Sequence, residues 1–167
     1  MVMKFTRTLK HLFYPGWWLR KHFPLRELKK LESAIDSSES KHSGEIRLAI
    51  ESSLPFNALW RDESVRERSE EVFSLLRVWD TEDNNGVLIY LLLADKKVEI
   101  TVDRNIAKVV SHQEWQRICG VMEQAFQQKQ FIDGLSLGID EITKHLQQYF
   151  PDVEGSVNEL SNKPVIL

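Results

Sequence analysis

The chain has 167 residues, 42% hydrophobic and 28% charged, enough to bury a core without disulfides or metal staples. A single cysteine, Cys119, excludes an intramolecular disulfide and a cysteine zinc cage, and five histidines show no His-x-x-x-His spacing. A formal charge of -3, from 22 Lys and Arg against 25 Asp and Glu, argues against nucleic acid as a partner.

Charge and aromatic residues are concentrated at the start. Residues 1–22 hold Lys4, Arg7, Lys10, Arg20 and Lys21 and no acid, so the rest of the chain carries a formal -8. Phe5, Leu9, Leu12 and Phe13 recur at helical spacing. Tyr14–Pro15–Gly16 interrupts that segment before Trp17 and Trp18. No apolar run approaches the roughly 20 residues needed to span a bilayer, and charges at Lys4, Arg7 and Lys10 interrupt any secretory h-region.

Leu25, Leu28, Leu31 and Ile35 predict a first helix behind Pro24, closed across Ser37 to Gly44. Ile46, Leu48 and Ile50 alternate with Glu45, Arg47 and Glu51, the period of a strand with one polar face. Ser52 to Arg61 reads as a loop. Val65, Val72, Phe73, Leu76 and Trp79 predict a second helix over about 62–79. An acidic and Asn-rich loop, Asp80 to Asn85, opens at Gly86 into the apolar run Val87–Leu93, a strand buried on both faces. After a turn at Ala94–Lys96, Val98, Ile100 and Val102 alternate with polar residues and predict the returning strand of a hairpin. Ser111 to Glu114 has the capping-box pattern, with Trp115, Ile118, Cys119, Met122 and Phe126 as one stripe behind it. Leu135, Ile139, Ile142, Leu146 and Tyr149 mark a last helix stopped by Pro151.

The order αβαββαα predicts a three-layer α/β/α sandwich whose mixed sheet has one right-handed parallel crossover and one hairpin. The expected organisation is a basic aromatic arm (1–22), an α/β domain (23–150) and a polar tail (151–167), whose final Val165, Ile166 and Leu167 dock on the domain or, as the alternative, offer a carboxyl-terminal motif to a partner.

This topology gathers Gly44 and Glu45, Asp80 to Asn85, and Asp103 to Asn105 at one end of the sheet. Asp80, Glu82, Asp83, Asn84 and Asp103 form an oxygen-rich set of the kind that holds Ca2+ or Mg2+. The loop does not follow the EF-hand pattern, and Arg104 stands among the carboxylates. The alternative is a solvated loop whose side chains satisfy its own backbone. Glu45, Asn85, Arg104 and Asn105 are the candidate contacts to a partner protein. The polar residues of the first and third strands require either a partly open face or a buried pairing of Arg47 with a carboxylate. These positions assemble neither a phosphate loop nor a Ser/His/Asp arrangement, so the chemistry predicts binding rather than catalysis.

Gly44–Glu45–Ile46, Val72–Trp79, Asn85–Val102 and Phe131–Ile132–Asp133–Gly134–Leu135, in this order, resemble the TPM-domain family from about Phe23 to Phe150. The resemblance implies an α/β sandwich. It also brings divalent-ion binding, phosphatase activity, photosystem repair and receptor modulation as activities linked to members. Such domains are usually membrane-anchored or exported, whereas this chain shows neither a signal peptide nor a spanning segment. Asp103–Arg104–Asn105–Ile106 replaces the glycine-rich turn of many relatives, and Lys21–His22–Phe23–Pro24 replaces the acidic segment before the first helix.

The expected function is a non-enzymatic binding or accessory module using the acidic sheet end for a partner protein or a divalent cation. A metal-dependent phosphatase at that end is one alternative. Another is a cytoplasmic protein peripheral to an anionic membrane, touching it through Lys4, Arg7, Lys10, Trp17 and Trp18. For those aromatic residues, covering the domain's core is the competing role.

Overall fold

The parallel crossover and the hairpin are both present in the computed structural model, which describes residues 2–152 and 157–167, with side chains from residue 6 onward. The sequence-predicted membrane contact Lys4 therefore lies, as a side chain, outside the described residues. The elements are α1 (Val2–Leu12), α2 (Trp17–His22), α3 (Leu25–Glu39), β1 (Glu45–Glu51), α4 (Phe56–Trp60), α5 (Val65–Leu75), β2 (Gly86–Leu92), β3 (Lys97–Val102), α6 (Arg104–Ala107), α7 (His112–Gln127), α8 (Phe131–Tyr149) and β4 (Val165–Ile166). The four-stranded mixed sheet runs β3-β2-β1-β4, with β1 parallel to both β2 and β4, and β3 antiparallel to β2.

Alternation along the strands sends side chains into two cores. Ile46, Leu48, Ile50, Val87, Ile89 and Leu91 face α3, α7 and α8, while Ala49, Leu88, Tyr90 and Leu92 face α4 and α5. All seven residues of β2 are buried, as expected of a central strand covered on both sides.

The second helix is shorter than its apolar spacing predicts. It starts behind Ser64, whose hydroxyl accepts the Glu67 N–H while Glu67 accepts the Ser64 N–H. It ends at Leu75 because Arg77 turns left-handed (φ 53°). Val78 then donates to the Phe73 carbonyl and Arg77 to that of Ser74, both paired bonds of a Schellman cap. The last helix begins four residues before Leu135, at Phe131. Two short helices also form, α4 in the stretch that reads as loop and α6 directly after the hairpin, each too short to show a hydrophobic period.

The tail forms the edge of the sheet. Val165 and Ile166 pair with Ala49 and Ile50, the Leu167 N–H donates to the Ile50 carbonyl at 3.0 Å, and Leu167 packs on the second core. Beneath that tail lies Arg47, which donates to the carbonyls of Ser161 and Lys163. The polar face of the sheet is thus neither open there nor closed by an Arg47–carboxylate pair. Elsewhere on it Arg68 of α5 grips Glu51 through two bonds, at 2.9 and 3.0 Å, and Ser69 meets Thr101 at 2.6 Å.

Candidate functional site

Register places the candidate residues together. Glu45 is opposite Gly86 and Val87 opposite Val102, so the starts of β1 and β2 lie beside the end of β3. The Glu45 N–H donates to the Asn85 carbonyl at 3.2 Å, Asp103 to Gly86 at 2.9 Å, and Asn105 to Asn84 at 3.2 Å. Asn84 is left-handed (φ 49°), a conformation that Asn tolerates better than most residues.

At this end the Asp80 and Asn84 side chains have local partners, and the Glu82 and Asp83 backbone groups are bonded. Asp80 pairs with Arg77 at 2.6 Å, and Asn84 accepts from Arg104 at 2.8 Å. The backbone carbonyl of Asp83 accepts the Asn105 side chain at 2.6 Å, and the Glu82 N–H donates to the Glu159 carboxylate at 3.0 Å. Asp103 caps α6, accepting the Arg104 N–H at 2.6 Å, and its buried Oδ2 has no hydrogen-bond partner among the described residues. No group of three or more His, Cys, Asp and Glu among the described residues is placed to hold a metal ion. Asn85, only 2% exposed, clips the strand starts together by donating to the Ser43 carbonyl at 2.6 Å. That burial withdraws Asn85 from any partner surface. Arg104 is exposed and Asn105 half-buried, and both line an open groove with Asn84 and Lys108.

Sequence reasoning missed the concave part of this sheet end. A cleft of about 270 Å3 is lined by Asp36, Glu39, His42, Glu45, Asp152 and Asn158, among others. Glu45 spans cleft and tail, accepting the N–H groups of Glu159 and Leu160 at 3.1 Å. Glu39, at the end of α3, accepts the Ile46 N–H at 2.7 Å. Thr143 donates to the Ile139 carbonyl, so the 2.6 Å contact between Ser38 and Thr143 is a bond donated by Ser38. His42 Nε2–H then donates to Ser38 at 2.9 Å. Its Nδ1 consequently carries a buried lone pair with no partner among the described residues. His42 lies three residues past the end of α3, so no helical period pointed to its contact with Ser38, and the cleft itself depends on the tail.

Titration is strongly perturbed here, as in many functional sites. Burial, reinforced by the charges of Glu45 and Asp36, outweighs the Ile46 hydrogen bond and pushes the Glu39 carboxyl from 4.5 to about 8. Burial also raises Glu45, and it lowers His42 from 6.5 to about 4. Between about pH 4.5 and 6.5 the unfolded state binds one more proton at His42 and one fewer at Glu39, so their contributions to the stability slope oppose. Above 6.5 only Glu39 remains: the native state holds a proton that the unfolded state has lost. Stability should therefore decline only gently over the lower interval, through the raised Glu45 carboxyl, and fall from about pH 6.5 to about pH 8 as Glu39 adds its full slope. Thermal melts followed by circular dichroism would test this, with Glu39→Gln expected to flatten the fall. A wild-type midpoint unchanged between pH 6.5 and 8.5 would count against it.

The arm residues are placed differently from a free basic tail. Arg7 and Lys10 pair with Asp95 at 3.1 and 3.4 Å, Trp18 is half-buried against Tyr14 and His22, and Trp17 is exposed.

A family model described as TPM domain matches residues 22–145. Among solved structures, the chain is similar to the NMR structure of the BA42 protein from the psychrophilic bacterium Bizionia argentinensis. That match has 32% identity and a TM-score of 0.75, covering 85% of this chain and 93% of that one. The solution NMR structure of the N-terminal domain of a protein from P. gingivalis matches with 15% identity and a TM-score of 0.64, covering 79% and 83% of the two chains, a likeness of fold alone. No curated protein gives a match.

Proposed function

The chain belongs to the TPM-domain family, and on that premise we propose that it is a binding module whose acidic sheet end receives a cationic group of a partner protein. The observation that carries this reading is the crowding of Asp36, Glu39, Glu45 and Asp152 around one cleft, where Glu39 holds a proton up to about 8. A cation placed there relieves the cost of burying carboxylates and releases that proton. The acids surround the cleft instead of converging on one point, which suits a planar guanidinium with its several donors more than a chelated ion. Arg104 and Asn105 line a separate groove at the same end of the sheet.

Binding is favoured over catalysis by the Ser38–His42 pair. Its hydroxyl proton points to Thr143 and into the core, so the histidine cannot act on it as a base. The divalent-cation and phosphatase readings are the alternatives that the experiment distinguishes.

Amide chemical-shift mapping with an arginine amide, magnesium and calcium in turn is the test. The arginine probe should shift residues 36–45 and 158–160, bind more tightly as Glu39 deprotonates, and weaken about tenfold in Glu39→Gln, a charge-assisted bond being worth roughly that much. Calcium shifts centred on Asp80 and Asp103, abolished by Asp80→Ala, would replace this reading with a metal site. Metal-dependent phosphomonoester hydrolysis that vanishes in a Glu45→Gln, Asp80→Asn variant would overturn the non-enzymatic assignment.

A further inference from the structure

Helix α1 lies on the domain with its polar side inward. Arg7 donates to Asp95 at 3.1 Å and to the Glu63 carbonyl at 2.9 Å. One turn on, the buried His11 accepts the Leu54 N–H on Nδ1 at 2.9 Å and contacts Asp95 through Nε2 at 3.1 Å. At roughly 100° per residue, Leu9, Leu12 and Phe13 fall on the opposite face. They are 38%, 53% and 78% exposed, and Trp17 at the start of α2 adds a further ring at 59%. An amphipathic helix on a soluble domain normally buries such a stripe. Here polar bonds hold the helix and the stripe is presented outward, the kind of surface that marks an interaction site.

Charge identifies the occupant. No acid occurs before Glu27 in the chain, and Arg20 and Lys21 share α2 with Trp17 and Trp18, whereas Lys10 is paired with Asp95. Lys129, from the turn between α7 and α8, reaches the same place, with its ammonium 5.9 Å from the Trp18 ring; that of Lys21 lies 5.9 Å from Trp17. A second copy on this face would set these cations against themselves across a two-fold axis, without acids to offset them. Interfacial aromatic rings flanked by cations instead match a headgroup layer over anionic phosphates.

We propose that the outward face of α1 and α2 docks this protein reversibly on an anionic lipid surface. The reading is independent of the cleft. Asp95, where α1 is fastened, follows the end of β2, whereas the cleft lies at the starts of β1 and β2, so a docked molecule keeps its cleft toward solvent.

The test is sedimentation of the full chain with vesicles of phosphatidylcholine alone and of equal parts phosphatidylcholine and phosphatidylglycerol. Binding should require phosphatidylglycerol and decline as salt rises. Because Phe13 and Trp17 are exposed, a Phe13→Ser, Trp17→Ser variant should fold normally and lose about tenfold in partitioning, as should Lys21→Glu, Lys129→Glu. Three results would overturn the proposal: equal sedimentation of wild type and both variants, no sedimentation of wild type with either vesicle, or indifference to phosphatidylglycerol. Sedimentation velocity showing a wild-type dimer that the Phe13→Ser, Trp17→Ser variant dissolves would assign the face to a second copy instead.

Discussion

Replacing Arg68 by methionine is expected to destabilise the protein by about 3–5 kcal/mol, the cost of stranding a buried charge. Arg68 is 17% exposed and Glu51 6% by side chain, and the guanidinium forms two parallel bonds to that carboxylate. Tyr90, fully buried in β2, donates to the same carboxylate at 2.6 Å. The Glu51 hydrogen bonds hold the Arg68 guanidinium well above its ordinary range, against the effect of burial. Burial likewise pushes the Tyr90 hydroxyl up. Urea unfolding would measure the loss. A Glu51→Leu, Arg68→Met, Tyr90→Phe variant should recover most of it, because it removes the buried polar groups together and the remaining partner of Arg68, Glu71, is half exposed to water. A single Arg68→Met loss below about 1 kcal/mol would show that water already reaches Glu51.

Gly86→Ala should be nearly as damaging, at about 3 kcal/mol or more. A methyl group there would stand 2.1 Å from the Val78 carbonyl oxygen and 3.1 Å from its carbon, and these are backbone atoms. They cannot yield easily, because Val78 is fixed by its bond to the Phe73 carbonyl at the cap of α5. On its other side Gly86 accepts the Asp103 N–H, so a displaced β2 would also loosen the strand ends that form the candidate site. Circular dichroism melts of the variant should fall well below wild type, and amide shifts at Asn85 and Asp103 should move with them. An unchanged melting temperature would mean that the cap of α5 gives way without cost.

How much of this was legible varies with range. Val87–Leu93 reads as a central strand because seven successive apolar residues tolerate no wet face, and β2 is buried throughout. The hairpin and crossover follow from it, and with them the convergence of Glu45, Asn85 and Asp103. The Ser64–Glu67 capping box also stood in the sequence and would have trimmed the second helix, but the apolar positions Leu76 and Trp79 suggested a longer one. Arg77 in a left-handed conformation carries no comparable signal, since neither Gly nor Asn marks the cap.

Periodicity, turn chemistry and chain order therefore determined the sandwich and the end of the sheet where polar groups meet, because each depends on neighbours a few residues apart. Tertiary structure alone decided what those groups do. Asn85 became a clip, and Glu45 became a cap for tail N–H groups more than 110 residues away. Arg47 was covered by carbonyls from the same tail, and Glu39 and His42 acquired a cleft. The arm shows the same division. Its amphipathic spacing is plain in the sequence, but which face turns inward depends on Asp95, more than 80 positions away, which holds Arg7 and His11. A hydrophobic period specifies that a helix has two sides; only the groups that the fold brings against it decide which side is buried.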